Sequence, residues 1–237
     1  MEIINGKSKE SSLVDELAQA RLSRRKFMRY AGIFGASAAV IGISSCSKDD
    51  NNNNNTGIDL GSGDTGVLNY AYALEQLEAA FYIQVVTTPY TGITTTESTY
   101  FTDIRDHEIG HREFFKTALA GSAIPALEVN FSAINFASRD SVLATAKAFE
   151  DLGVSAYNGA GKLLTVPANL LTAGKIVSVE ARHAATIRDM ITANSFSGPD
   201  VVDAASGLDM ARTPAQVLSI ASAYLKSKLN ASNLPTS

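Results

Sequence analysis

"HEIGH", His107–His111, can be read in two ways, and the fold turns on the choice. Taken whole, it is His-Glu-x-x-His on a helix, with two imidazoles able to share a zinc ion and a Glu able to activate water. Taken from its second residue, it is Glu108-x-x-His111. That pair sits about 300° apart around a helix and about 4.5 Å apart along it, so both side chains point one way. Such a pair is one part of a two-metal site assembled from several helices.

The surrounding pattern is helical. The spacing predicts a first helix from Val67, with Leu68, Ala71, Glu75, Glu78 and Tyr82 on one face. A second, from about Ser98 to Ala120, aligns Phe101, Ile104, Glu108, His111 and Phe115. A third, from about Asp140 to Leu164, aligns Leu143, Ala146, Glu150 and Tyr157, and a fourth, from about Asn169 to Asn194, aligns Ile176, Glu180, His183, Ile187 and Met190. "TPAQVLSIASAYLKSKL" (213–229) predicts a shorter fifth helix after a Thr-Pro start. No run of strands is legible, so the expected class is all-α. Each long helix carries a carboxylate in the middle of its apolar stripe. Left unpaired there, it would cost on the order of several kcal/mol.

An internal repeat organises these carboxylates. "EQLEAAFY" (75–82) and "EDLGVSAY" (150–157) share Glu, Leu and Tyr at matching places. Glu75 is followed 33 residues later by Glu108-x-x-His111, and Glu150 is followed 30 residues later by Glu180-x-x-His183. One helix pair is used twice, and a pseudo-twofold packing would bring four Glu and two His toward one point. Glu78 aligns with Gly153, which makes Glu75 the better ligand candidate and leaves Glu78 as its neighbour. Four carboxylates and two neutral imidazoles carry about −4, which two divalent cations cancel. Ligation by O and N without sulfur suits two Fe or Mn ions. Tyr82 and Tyr157, seven residues after Glu75 and Glu150, return to the same face. They read either as core with a satisfied hydroxyl, or as hydrogen-bond partners of a ligand carboxylate or redox-active groups beside the metals.

With these residues in place, 67–194 resembles a ferritin-like di-metal carboxylate domain, a four-helix bundle with one long crossover between its second and third helices. The phrases "LNYAYALEQLEAAFY" and "FEDLGVSAYNGAGKLL" resemble the bacterial ferritin-like branch that includes desiccation-related proteins. Carried over position by position, the resemblance implies the metal ligands Glu75, Glu108, His111, Glu150, Glu180 and His183, and a crossover in Gly121–Arg139. The family includes ferroxidases, peroxide-reducing proteins, manganese catalases and members with no known activity, so the resemblance does not choose a reaction. The zinc-protease reading fits less of the chain. "HREFF" replaces the x-x-Gly-x-x-His continuation, Glu128 is a poor third ligand in a loop, and Glu75, Glu150, Glu180 and His183 go unexplained. His107 then reads as a surface residue or a neighbour of the ligands.

The N-terminus reads as an address. "SRRKFMRY" (23–30), with Arg24 and Arg25, followed by the apolar "AGIFGASAAVIGISS", resembles a bacterial twin-arginine export signal spanning 1–45. Cys46, the only cysteine, ends "ISSC" in the manner of a lipobox, and "CSKDD" resembles the acidic tag of surface-exposed lipoproteins in Bacteroidetes. Residues 46–66 read as lipidated Cys and flexible spacer, and 195–237 as a C-terminal helical extension. From Cys46 onward 13 Lys and Arg face 20 Asp and Glu, a formal charge of −7, and there is no basic stripe, so nucleic acid is not an expected partner. The expectation is an exported, envelope-anchored protein whose partners are the membrane, through Cys46, and a small oxidant, O₂ or peroxide. The alternative is a non-catalytic envelope protein with structural metals.

Overall fold

The computed structural model describes residues 57–236. Arg24, Arg25 and Cys46, the residues of the export and lipidation reading, lie outside the described residues. The 3-4 stripes form four long helices: α1 (Gly63–Thr87), α2 (Thr95–Leu119), α3 (Arg139–Gly161) and α4 (Pro167–Ile191). A short α5 (Pro214–Ala221) follows, and two-residue strands β1 (Ile58–Asp59) and β2 (Leu229–Asn230) pair in parallel. The all-α bundle expected from the pattern is what forms.

The helix starts follow local chemistry. Thr94 caps α2 reciprocally with Glu97, and Thr213 caps α5 with Gln216, with Pro214 placed where its missing N–H costs nothing. α1 pairs with α2, α3 pairs with α4, and the two pairs meet face to face through α1–α3 and α2–α4 contacts. α1 and α3 are buried on nearly every side, whereas α2 and α4 bury a single stripe each.

The crossover between α2 and α3 is laced along α1. The Asn69 amide donates to Ser122 O and accepts from Ile124 N; two turns further on, Gln76 accepts from Leu127 N. Phe131 and Phe136 then reach Phe81, whose ring also meets Phe149 of α3 at 5.1 Å. The chain thus travels the length of the bundle before starting α3, and all four helices can align with two up and two down. Both ends of the bundle are clamped. At one end, the Asp64 carboxylate accepts from Thr165 N and Oγ1, Val166 N and Asn169 Nδ2, tying the start of α1 to the start of α4. At the other, Arg139 donates to Glu97 of α2 and to Met190 O of α4.

Two boundaries differ from the sequence expectation. Residues 58–66, read as spacer, belong to the fold: Leu60 is fully buried, and the Ile58 and Leu60 amides donate to Lys228 O and Asn230 O. The low apolar content hid a segment held by backbone pairing. The fifth helix stops at Ala221, and one 3-10 turn (Ser222–Tyr224) ends it. Beyond it the backbone pairs with the crossover instead, through Lys226 N to Glu128 O and a Val129–Leu225 bridge. Tertiary pairing overrides the helical pattern of 222–229.

The 195–213 segment is not helical, and it docks on α3 at Gly159. A Cβ there would stand 1.7 Å from Arg212 O, while Arg212 also bonds the Ser155 backbone and hydroxyl. Gly159→Ala should therefore destabilise the protein by about 1–3 kcal/mol in urea unfolding. Gly161→Ala, whose Cβ would meet only Leu170 at 3.7 Å, should be neutral or slightly stabilising.

Candidate metal centre

The stripe carboxylates meet in the bundle interior. Glu75 of α1, Glu108 of α2, Glu150 of α3 and Glu180 of α4 are fully buried, and His183 is nearly so. Two groups of four ligand atoms result, each within 4.8 Å of one another: Glu75, Glu108, His111 and Glu180, and Glu108, Glu150, Glu180 and His183. His111 Nδ1 faces Glu180 Oε1 at 2.8 Å, Glu75 Oε2 at 3.3 Å and Glu108 Oε2 at 3.5 Å. His183 Nδ1 faces Glu108 Oε1 at 2.9 Å, Glu180 Oε2 at 3.4 Å and Glu150 Oε2 at 3.5 Å. Glu108 and Glu180 therefore turn one oxygen to each group, while Glu75 and Glu150 each serve one group. The structure brings all six sequence-derived candidates to one place.

These atoms aim at common points rather than at each other. Despite the short separations, Glu75 Oε2, both oxygens of Glu108 and Glu180, Glu150 Oε2 and the Nδ1 atoms of His111 and His183 make no aligned hydrogen bond. Buried polar atoms are ordinarily satisfied, and a cluster of orphans is the signature of a missing partner. Four acidic and two imidazole groups of hard-to-intermediate donor character fit two divalent cations. The oxygens left over are satisfied by protein. Tyr157 of α3 donates to Glu75 Oε1, and Tyr82 of α1 donates to Glu150 Oε1 at 2.5 Å. Each repeat's tyrosine thus serves the other repeat's carboxylate. Both tyrosines lie in the buried core, and each hydroxyl is satisfied by a carboxylate of the cluster, so the two sequence readings meet in one arrangement.

The repeat is broken at two places near the cluster. Glu78 is buried against Gly153, where a Cβ would stand 3.0 Å from Glu78 Oε1. The small residue of one repeat makes room for the large residue of the other. Burial first, and then the Glu180 and Glu108 charges, push the Glu78 carboxyl well above the usual range. Glu78 belongs to neither ligand group among the described residues. His107 is the other break. Among the described residues it is in neither candidate ligand group; its Nδ1 lies 2.9 Å from Nε2 of His183, with the rings 5.1 Å apart and 9° from parallel. Burial and the neighbouring imidazoles hold His107 below the usual histidine range. Sequence spacing within α2 could not reveal a partner on α4.

Protonation compensates for the crowding. Burial opposes charge on both inward imidazoles, but the facing carboxylates outweigh it: Glu75, Glu108 and Glu180 raise His111, and Glu150, Glu108 and Glu180 hold His183 up at about 12. Burial and the Glu180 charge push Glu108 up to about 8. Burial also works against the Glu180 charge, yet the two imidazoles hold that carboxylate down at about 2. Without metal, the cluster is thus balanced by protons.

Beside the cluster, an apolar cleft lined by Leu74, Ala71, Phe115, Ala160 and Tyr157 offers about 20 Å³ of free space, enough for one water-sized molecule. Tyr157 also bonds Glu75, so the cleft ends one side chain from the ligand groups.

A family described as the ferritin-like domain matches residues 63–193. No curated protein matches the chain.

The protonation pattern sets a pH dependence. A histidine raised from its ordinary 6.5 binds a proton in the folded state that the unfolded chain has released, so its contribution is complete below 6.5 and declines as pH rises toward the folded value. Glu108, raised from 4.5 to about 8, acts in the same direction across that interval. The metal-free protein should therefore melt lower at pH 8 than at pH 6.5, by at least roughly 4 °C in differential scanning calorimetry. Divalent metal should flatten or reverse that trend, because coordination replaces the protons.

Proposed function

The chain belongs to the ferritin-like domain family, and from that premise we propose that it holds a di-iron or di-manganese centre that reacts with dioxygen or peroxide. The observation that carries the reading is the convergence of eight buried, hydrogen-bond-orphaned N and O atoms into two groups sharing Glu108 and Glu180. In this reading Glu75, Glu108, His111 and Glu180 hold one ion, and Glu108, Glu150, Glu180 and His183 hold the other. Two ions held by these residues would supply paired redox chemistry and Lewis acidity toward a small oxidant.

The rest of the work belongs to the chain's own groups. The Tyr82 and Tyr157 hydroxyls occupy the outer oxygens of Glu150 and Glu75, leaving one oxygen of each turned inward and its orientation fixed. The buried stripes of the four helices exclude bulk water, which strengthens every charge interaction inside. The apolar lining of the cleft holds water poorly and favours a small nonpolar molecule, which supports dioxygen ahead of peroxide as the species admitted there.

The proposal extends to the cell. Export through the twin-arginine signal and anchoring to the membrane through Cys46 would place the domain in the envelope, possessing a tether in the spacer after Cys46 and a role in oxidative or desiccation stress. Folded-protein export by that route suits a site loaded before translocation. The four fully buried carboxylates also favour a second reading, in which the metals serve stability alone in a non-catalytic envelope protein.

Elemental analysis of protein purified without added metal should find about two Fe or Mn per chain, and Glu150→Ala should retain about one. Unchanged metal content in that variant, or no metal in the parent after reconstitution, would sink the proposed centre. Given two ions, consumption of O₂ or peroxide selects the redox reading. A large rise in melting temperature without any such consumption selects the structural one.

A further inference from the structure

The pseudo-twofold makes the two ligand groups alike on their inner sides, and the His107 contact makes them unlike on their outer sides. His183 Nδ1 faces Glu108, Glu180 and Glu150, which commits the opposite nitrogen, Nε2, to whatever lies behind the ring. Behind it stands His107 Nδ1, 2.9 Å away. A neutral imidazole that gives its Nδ1 lone pair to a metal carries its proton on Nε2. That proton is then donated to His107 Nδ1, and His107 keeps its own proton on Nε2. The near-parallel rings, 9° apart, fix the His183 plane as well as its tautomer. The position of the repeat equivalent to His107 is Val179, since Glu108 aligns with Glu180. Val179 has no nitrogen to accept a proton from His111.

We propose that His107 is a positioning residue for the metal held by His183, and that it makes the two metal positions inequivalent, the His183 position binding more tightly than the His111 position. The inference rests on the di-metal reading above and adds to it a loading order and a residue the ligand motif does not contain. His107 acts through His183 and touches no metal itself. Its contribution has two separable parts, the hydrogen-bond acceptor and the bulk of the ring edge to edge with His183. Outer partners of a ligating histidine are worth about 10–100-fold in metal affinity, so the effect is within reach of a titration.

The test is a Co²⁺ titration of the full chain and its variants, followed by visible absorption and by competition with a chelator of known affinity. His107→Phe retains an aromatic ring but removes the acceptor, and His107→Asn places an amide oxygen near the lost Nδ1. Circular dichroism and metal-free melting check that each variant folds. The parent should bind two Co²⁺ per chain in resolved steps. In His107→Phe the tighter step should weaken by about 10–100-fold while the other stays put, and His107→Asn should recover most of the loss. Two unchanged steps in His107→Phe overturn the positioning role. Equal weakening of both steps, or an Asn variant as impaired as the Phe variant, overturns it as well, because packing rather than the acceptor would then be responsible. A parent that binds no Co²⁺ removes the di-metal reading itself, an outcome distinct from the others.

Discussion

Four carboxylates buried at one point are the constraint on which the structure depends. Glu75, Glu108, Glu150 and Glu180 have no exposed surface, and the two imidazoles among them are the nearest positive charge. No apolar bundle would gather such groups for stability, since each would be driven toward neutrality by desolvation. The cluster is tolerable because it is compensated by protons and, in the proposed reading, by cations that would take their place. Everything around it serves to keep four carboxylates in a dry interior against their mutual repulsion, with two imidazoles between them.

The surrounding architecture does this by holding helix ends and length together. Asp64 and Arg139 sit at opposite ends of the bundle and each joins elements distant in sequence. Between them the crossover is fastened to α1 by Asn69 and Gln76, then by the aromatic contacts of Phe81. The C-terminal segment closes the far side of α3, where Arg188 binds Asp151 and Asp200 together and Gly159 accepts the Arg212 backbone. α1 and α3 are therefore enclosed, and so are the carboxylates they carry, Glu75 and Glu150.

Much of this was legible in the chain because the helical period and the ligand spacing are local. Glu75, Glu150 and the two Glu-x-x-His pairs could be found from their offsets, and the repeat decided between Glu75 and Glu78. What escaped was non-local. The Tyr82 and Tyr157 hydroxyls cross between repeats, so spacing could place them on the inward face without naming the carboxylate they reach. His107 needed its neighbour on α4 before its part became visible. The strand pairing of residues 58–60 and 228–230 carries almost no sequence signal, because it is made by backbone groups brought together from the two ends of the domain.

The Glu78–Gly153 contact limits how symmetric the repeat can be. A twofold axis maps that contact onto itself, so the two positions share one slot between α1 and α3, and the slot takes one long side chain. An assembly of two identical halves would put Glu against Glu there, or leave a void between two glycines. The present halves instead fit as knob and hole. The two halves of the repeat are thus parts that complement each other and cannot stand in for one another.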